Sequence, residues 1–189
     1  RAECPDVAGI QLVLRRDVAD DGAALAQAAH HDLLIDILFL LAIHGRSIDR
    51  RTILAARATL GSLLGAELSD VPRHLRFYAG GGGSVRGYDY QSIGPRDERG
   101  RPSGGANLVE ASFEVRQMVW GDVGAVAFVD AGSVGTSSAW DFSNLRFGAG
   151  VGVRYHTPIG PIRADVAVPL VRQPGSSSFG LYVGIGQAF

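Results

Sequence analysis

The chain has 189 residues, enough for one domain or two small ones. Its 18 Lys+Arg and 19 Asp+Glu almost cancel, and the formal net charge of -1 gives no electrostatic case for nucleic acid or an anionic surface. A single cysteine, Cys4, excludes an internal disulfide and a cysteine zinc cluster, and no run reaches the roughly 18 apolar residues of a transmembrane helix.

In chain order, the first 51 residues are hard to assign. The start, RAECPDVAG, lacks the basic, apolar and small-residue pattern of a signal peptide. Val7 to Arg15 reads as a short strand. Asp20 to His31 is alanine-rich and reads as a helix with Asp20 or Asp21 as N-cap. Asp32 to Ile43 is the longest apolar stretch, interrupted by Asp36, and reads as a buried helix or a pair of strands. Residues 1–51 are therefore taken as irregular or helical, a divergent or truncated remnant. His30 and His31 are adjacent and point differently on any regular element. With His44 they lack a carboxylate-rich partner motif, so no metal site is expected.

From Thr52 the period becomes two, the mark of strands with one apolar face. Leu54, Ala56, Ala58 and Leu60 alternate with Ala55, Arg57, Thr59 and Gly61. Ala66 to Pro72 is a polar turn, and Leu75 to Ala79 starts a second strand. Five more follow, around Val109–Val115, Val123–Ala131, Leu145–Tyr155, Ile162–Leu170 and Leu181–Phe189. That makes seven strands. In each, apolar residues share one face, while arginines, carboxylates and glycines share the other. A soluble sandwich gives the same alternation. Strands near ten residues, short turns such as Thr157-Pro158-Ile159-Gly160, and aromatics near strand ends favour a membrane β-barrel.

Between the second and third strands stands RFYAGGGGSVRGYDY, Arg76 to Tyr90. Gly80 to Gly83 signal an irregular, close-packed turn. A long loop follows to Ala106, with Pro95, Pro102 and a charged run from Arg96 to Arg101. Loops of this length are usually functional. Arg86 is either a solvated loop cation or the partner of an inward carboxylate; spacing alone leaves both open. A phosphate-cradling loop is excluded, because the chain has no lysine and no helix pattern follows. Gly148-Ala149-Gly150-Val151-Gly152 lies inside an alternating strand, which excludes a dinucleotide motif. No G-x-S-x-G elbow appears, and His74 and His156 fit no triad. No enzyme and no cofactor are expected.

The SVRGY run, the FVDAG run at 128–132 and the final Phe189 resemble the C-terminal part of the BamA/TamA superfamily of outer-membrane assembly and translocation proteins. The phrase GGGGSVRGYDYQSIGPRD and the ending YVGIGQAF look most like its TamA-like members. The resemblance runs from about Thr52 to Phe189. It implies an all-β fold, the C-terminal segment of an antiparallel transmembrane barrel over 52–189, with a loop at 80–106 folded into the lumen. It implies a loop motif of Val85, Arg86, Gly87 and Tyr88, and a strand motif of Phe128, Asp130 and Gly132. Arg86 is expected to meet Asp130, with Glu114 or Glu110 as a second acceptor. Tyr182, Gly184, Ile185 and Phe189 are expected to form a C-terminal assembly signal, from which Gln187 departs.

The function so implied is insertion or secretion of outer-membrane proteins such as autotransporters, in the bacterial outer membrane. The expected partners are outer-membrane lipid, client outer-membrane proteins and, for a TamA-like member, a TamB-like periplasm-spanning protein. No nucleic acid, small-molecule substrate, nucleotide or metal is implied. The superfamily's barrel is larger and preceded by POTRA domains, and single-chain barrels have an even number of strands. Seven strands therefore suggest a truncated gene product. Two other readings stand beside this one: the barrel anchor of a patatin-like lipase, and a soluble all-β binding domain.

Overall fold

The period-two pattern folds as strands over most of its length. The computed structural model describes residues 8–17, 35–47, 51–140, 142, 144–172 and 176–186. Its strands are β1 (Ala8–Asp17), β2 (Ile35–Ser47), β3 (Thr52–Leu64), β4 (Asn107–Trp120), β5 (Val123–Gly135), β6 (Arg146–Thr157), β7 (Gly160–Pro169) and β8 (Gly180–Ile185). Each pairs antiparallel with the next, so the eight-stranded sheet runs in plain order from β1 to β8. Among the described residues β1 and β8 are its edges, and the sheet is not closed.

Strands β3 to β7 have 10 to 14 residues, enough for a tilted crossing of a bilayer, which takes about 9–11. The ends of the sheet are unequal. At one end β4 turns into β5 through Gly121 and Asp122, and β6 into β7 through Pro158 and Ile159. The second turn is closed by a hydrogen bond from Thr157 Oγ1 to the Gly160 carbonyl at 2.6 Å. At the other end the connections are long: 65–106, 136–145 and 170–179. Short turns on one rim and long loops on the other are the build of an outer-membrane barrel.

The two faces are reversed relative to a soluble protein. Along β5, Val126, Phe128 and Asp130 are buried, while Ala125, Ala127 and Val129 are exposed. Glu114, Asp130, Arg154 and Asp165 are each 1% exposed or less, whereas Val151, Val153, Val183 and Ile185 are each more than half exposed. A soluble sandwich buries its apolar face. Here the apolar face is outside, in a band too extensive for water, and the charges are inside.

The inner face is covered by the loop. Ala79, Val85, Tyr88 and Ile93 from the loop pack on Leu108 of β4 and Val134 of β5. Nearer β3, Val71 and Ala106 pack on Leu63. Burying a valine or isoleucine side chain contributes about 1.5–3 kcal/mol, so these contacts favour the docked loop.

Three expectations are corrected. Residues 8–17 are a strand, as the Val7–Arg15 pattern suggests, and 35–47 are one strand rather than a helix or a pair of strands, so these parts of 1–51 are not irregular or helical chain; β2 continues the apolar run through Asp36 because its backbone is paired on both sides, by β1 and β3. Leu75 to Ala79 is not a strand. Arg73–Leu75 is a 3-10 turn, and the chain beyond it makes only isolated bridges, Phe77 with Gly105 and Ala79 with Ile93. The alternation there is short and its partners lie in its own loop, so no ladder propagates. Six strands therefore follow from Thr52, and the loop begins at Gly65. The helix expected at Asp20–His31 lies outside the described residues, as do Gln187 and Phe189.

Candidate functional site: an arginine clamp between loop and sheet

The loop reaches the inner face through a tight glycine approach. Gly80 and Gly81 have φ of +107° and +103°, values that L side chains rarely adopt. The Gly80 N–H donates to Ser84 Oγ at 2.9 Å, and the Ser84 hydroxyl in turn donates to Glu110 on β4. Past Arg86 the backbone presses on β7. A Cβ on Gly87 would stand 2.7 Å from the Val168 carbonyl carbon, and its φ is +96°, so this position takes only glycine.

Arg86 is 2% exposed and meets three inner-face carboxylates. Its Nε donates to Asp130 Oδ2 at 2.7 Å and its Nη2 to Asp130 Oδ1 at 2.9 Å, a bidentate fork. The Arg86 backbone N–H donates to the same Oδ2 at 3.1 Å. Nη1 lies 2.7 Å from Glu114 Oε1 and 3.6 Å from Asp165 Oδ2. The guanidinium carbon stands 3.4 Å from the centre of the Phe128 ring, a cation–π contact out of water's reach. Burial by itself lowers the Arg86 pKa, but Asp130 and Glu114 outweigh it and hold the group above its ordinary value.

The strand motif now has a physical reading. Phe128 supplies the aromatic floor and Asp130 the fork. Gly132 leaves room for the loop, because a Cβ there would stand 2.6 Å from Val85 Cγ2. Tyr88 closes the motif on the far side, its hydroxyl 2.9 Å from the Val171 carbonyl and 3.2 Å from that of Phe147. Glu110 and Glu114 divide the work. Glu114 reaches Arg86, while Glu110 takes Ser84 and lies 3.9 Å from Arg57. The two carboxylates lie four residues apart along β4, so a single guanidinium reaches only one.

Asp165 is not among the partners expected for Arg86, and two further participants are missed by the sequence. Ser112, cross-strand from Asp130, donates its hydroxyl to Asp130 Oδ1. Gly148 of β6 has no side chain where the Arg86 carbonyl packs, and a Cβ there would overlap that oxygen. The available signal was position: both stand on the polar face of an alternating strand.

The expected C-terminal signal residues fall into separate roles. The Tyr182 hydroxyl accepts from the Gly87 N–H at 2.9 Å and lies 3.3 Å from the Tyr88 carbonyl, so Tyr182 belongs to the loop site. Gly184 also faces inward, beneath Arg163. Ile185 is 70% exposed on the apolar face.

Residues 40–189 match the model of the Omp85 superfamily domain. The chain belongs to the Omp85 superfamily. Its apolar outer face is that of a barrel wall in the bacterial outer membrane. It is 36% identical to the outer membrane protein assembly factor BamA of Nitratidesulfovibrio vulgaris over 124 residues, covering 62% of this chain and 16% of the relative. It is 28% identical to BamA of Neorickettsia risticii over 151 residues, 75% of this chain and 20% of the relative. The crystal structure of BamA from Haemophilus ducreyi lacking POTRA domains 1-3 shares the fold, with a TM-score of 0.64 at 23% identity over 79% of this chain and 35% of that one. The chain thus spans a fifth or less of the length of these curated relatives.

Proposed function

We propose that this Omp85 segment is the loop-bearing, C-terminal part of an outer-membrane protein assembly factor of the BamA type. In this reading it helps client outer-membrane proteins insert by offering β8 as a strand-pairing edge. The observation that carries it is the clamp on the inner face of an Omp85 sheet whose named relatives are assembly factors. Arg86 ties the loop to β4, β5 and β7 through Glu114, Asp130 and Asp165. Beside that fixed body, β8 pairs with β7 over six residues and has no strand on its other side among the described residues.

Unpaired N–H and C=O groups at a sheet edge cannot be left in hydrocarbon. Adding a strand satisfies them, and main-chain hydrogen bonds then supply the affinity. No covalent bond is made or broken, so the reading calls for no nucleotide, metal or other cofactor, only lipid and a client.

The finer assignment also belongs to this proposal. The named relatives are BamA proteins, which favours a BamA-type factor over a TamA-like one. A TamB-like partner and autotransporter clients rest on the resemblance of the loop phrase and of the ending YVGIGQAF. Neither other reading gains support: the face a soluble domain would bury is outside, and the named relatives are assembly factors, not lipases.

The test is a chimera. Residues 40–189 replace the matching segment of the Nitratidesulfovibrio vulgaris factor, and folding of a client barrel into liposomes is measured. Client folding near the parent's rate is expected, with a marked loss in the Arg86→Ala chimera. A correctly folded chimera without any client folding would count against the proposal.

A further inference from the structure

Toward its short-turn end the polar face carries more cations than anions. Among the described residues, four guanidiniums there, of Arg86, Arg116, Arg154 and Arg163, share three buried carboxylates, Glu114, Asp130 and Asp165. Arg116 directs both Nε and Nη2 to Glu114 Oε2, each at 2.7 Å. Arg154 donates to both oxygens of Asp165, from Nη1 to Oδ1 and from Nη2 to Oδ2 at 3.2 Å. Its Nη1 also lies 3.2 Å from the Val153 carbonyl. The remaining donor, Arg154 Nε, is buried with no hydrogen-bond partner, in a residue only 1% exposed. A buried donor in this state costs free energy until an acceptor reaches it, and buried charge calls for a counter-charge.

Beside this arginine lies a cavity of about 40 Å³. Arg116 and Met118 of β4, Gly124 and Val126 of β5, and Arg154 and His156 of β6 line it, with the start of β3 alongside. No aspartate or glutamate lines it among the described residues. Strands β3 to β6 are each paired on both sides, so the site lies within the wall and owes nothing to the edges of the sheet. Gly124 leaves the floor open. A Cβ there would stand 3.4 Å from Met118 Sδ and 3.6 Å from His156 Cε1, close but without overlap. A water-sized group needs about 10–15 Å³, so about three such groups fit. That is the bulk of a carboxylate, with its two oxygens and one carbon. A phosphate, with a central atom and four oxygens, is too large. Met118 and Val126 offer apolar contact to the stem that would carry the carboxylate.

We propose that this cavity is a carboxylate-binding site at the short-turn mouth of the inner face. Arg154 Nε donates to the bound oxygen, Arg116 and His156 flank it, and Met118 and Val126 hold the stem. The ligand class is a carboxylate on a short aliphatic stem, either an Asp or Glu side chain of a polypeptide at that rim or a free carboxylic acid. The bound anion accepts a charge-assisted hydrogen bond from an otherwise idle donor and brings the four cations a fourth counter-charge. This goes beyond the assembly reading and does not depend on it.

The test follows the Nε–H signal of Arg154 by NMR in the chain refolded in detergent. The probes are N-acetylglutamate α-amide, its neutral glutamine counterpart, inorganic phosphate, and a short peptide with one central Glu. The glutamate compound is expected to shift the signal saturably and to bind about tenfold tighter than the glutamine compound, the scale of one hydrogen bond to a charged group. Phosphate should leave the signal in place. Gly124→Ala puts a methyl group into the cavity without altering any arginine. It should bring the glutamate compound down to the affinity of the glutamine one, with the Arg86 Nε–H signal unchanged. If the peptide binds as the glutamate compound does, the natural source is a polypeptide; if only the small compound binds, it is a free acid, and either result upholds the site. Equal affinities for the two amides, no shift with either, binding of phosphate as tight as that of the glutamate compound, or a preference that survives Gly124→Ala would each overturn the proposal. Should Gly124→Ala not refold, the probe series on the unmodified chain decides the matter.

Discussion

At the scale of single residues, Arg86 is the most exacting position. A buried cation that meets Asp130 and Glu114 leaves Asp130 to the Ser112 hydroxyl and Glu114 to Arg116 when it is removed. Arg86→Ala is expected to cost about 3–5 kcal/mol, the usual penalty for breaking a buried pair from one side. Arg86→Lys should recover only part of this, since an ammonium cannot reproduce the fork and stacks less well on Phe128. A double-mutant cycle with Asp130→Ala, read as the denaturant midpoint of the refolded chain, should show strong coupling. If the two losses simply add, the clamp is energetically idle. Tyr182 gives a milder test. Tyr182→Phe removes the acceptor of the Gly87 N–H, at a cost of about 1–3 kcal/mol for a donor left unpaired. Hydrogen exchange at Gly87 should quicken while β4 and β5 stay protected; an unchanged Gly87 rate would dismiss the link between β8 and the loop.

At the scale of elements, the loop 65–106 behaves as a small folded unit with its own internal turn. Within it, Asp97 accepts from the backbone N–H groups of Arg101 and Arg99 and pairs with the Arg101 side chain at 2.9 Å. The Arg101 N–H, with the Arg101 side chain behind it, holds the Asp97 pKa below its ordinary value of 3.8 despite the opposing effect of burial. A carboxylate depressed in the folded state stabilises the turn above its unfolded pKa, and this support fades as the pH falls through the folded one. The 96–102 turn should therefore keep its order at neutral pH and loosen only below 3.8. Amide exchange of Arg99 and Arg101 as a function of pH checks this, and Asp97→Asn should remove the acid dependence. A turn that loosens near neutral pH would contradict it.

For the whole molecule, the reversal of faces decides the environment. Val151 is 63% exposed at mid-strand on the apolar side of β6. In lipid, Val151→Arg should cost about 2–4 kcal/mol near the bilayer midplane, less toward an interface. Refolding yield in liposomes, read by heat-modifiable gel migration, should drop accordingly. In a water-facing strand the same substitution would be close to neutral, so an unchanged yield would argue against the membrane face. Circular dichroism of the refolded chain should be β-dominated over the same conditions.

Much of this was legible in the sequence, for a definite reason. Side-chain alternation in a strand has a period of two, so Val123 to Gly132 announces both an element and its two faces from local order alone. The same periodicity puts Phe128, Asp130 and Gly132 on one side before any partner is known. Other features depend on contacts between distant segments. Leu75–Ala79 looks like a strand locally, but its bridges go to Ile93 and Gly105, so the loop and not the sheet claims it. β2 looks equally like a helix, and only pairing with β1 and β3 makes it a strand. The choice of Glu114 over Glu110 for Arg86 and the space left by Gly148 both arise where segments far apart in sequence are pressed together. Local pattern fixes which face a residue occupies. Only the register between strands and the path of the loop decide which residue it meets there.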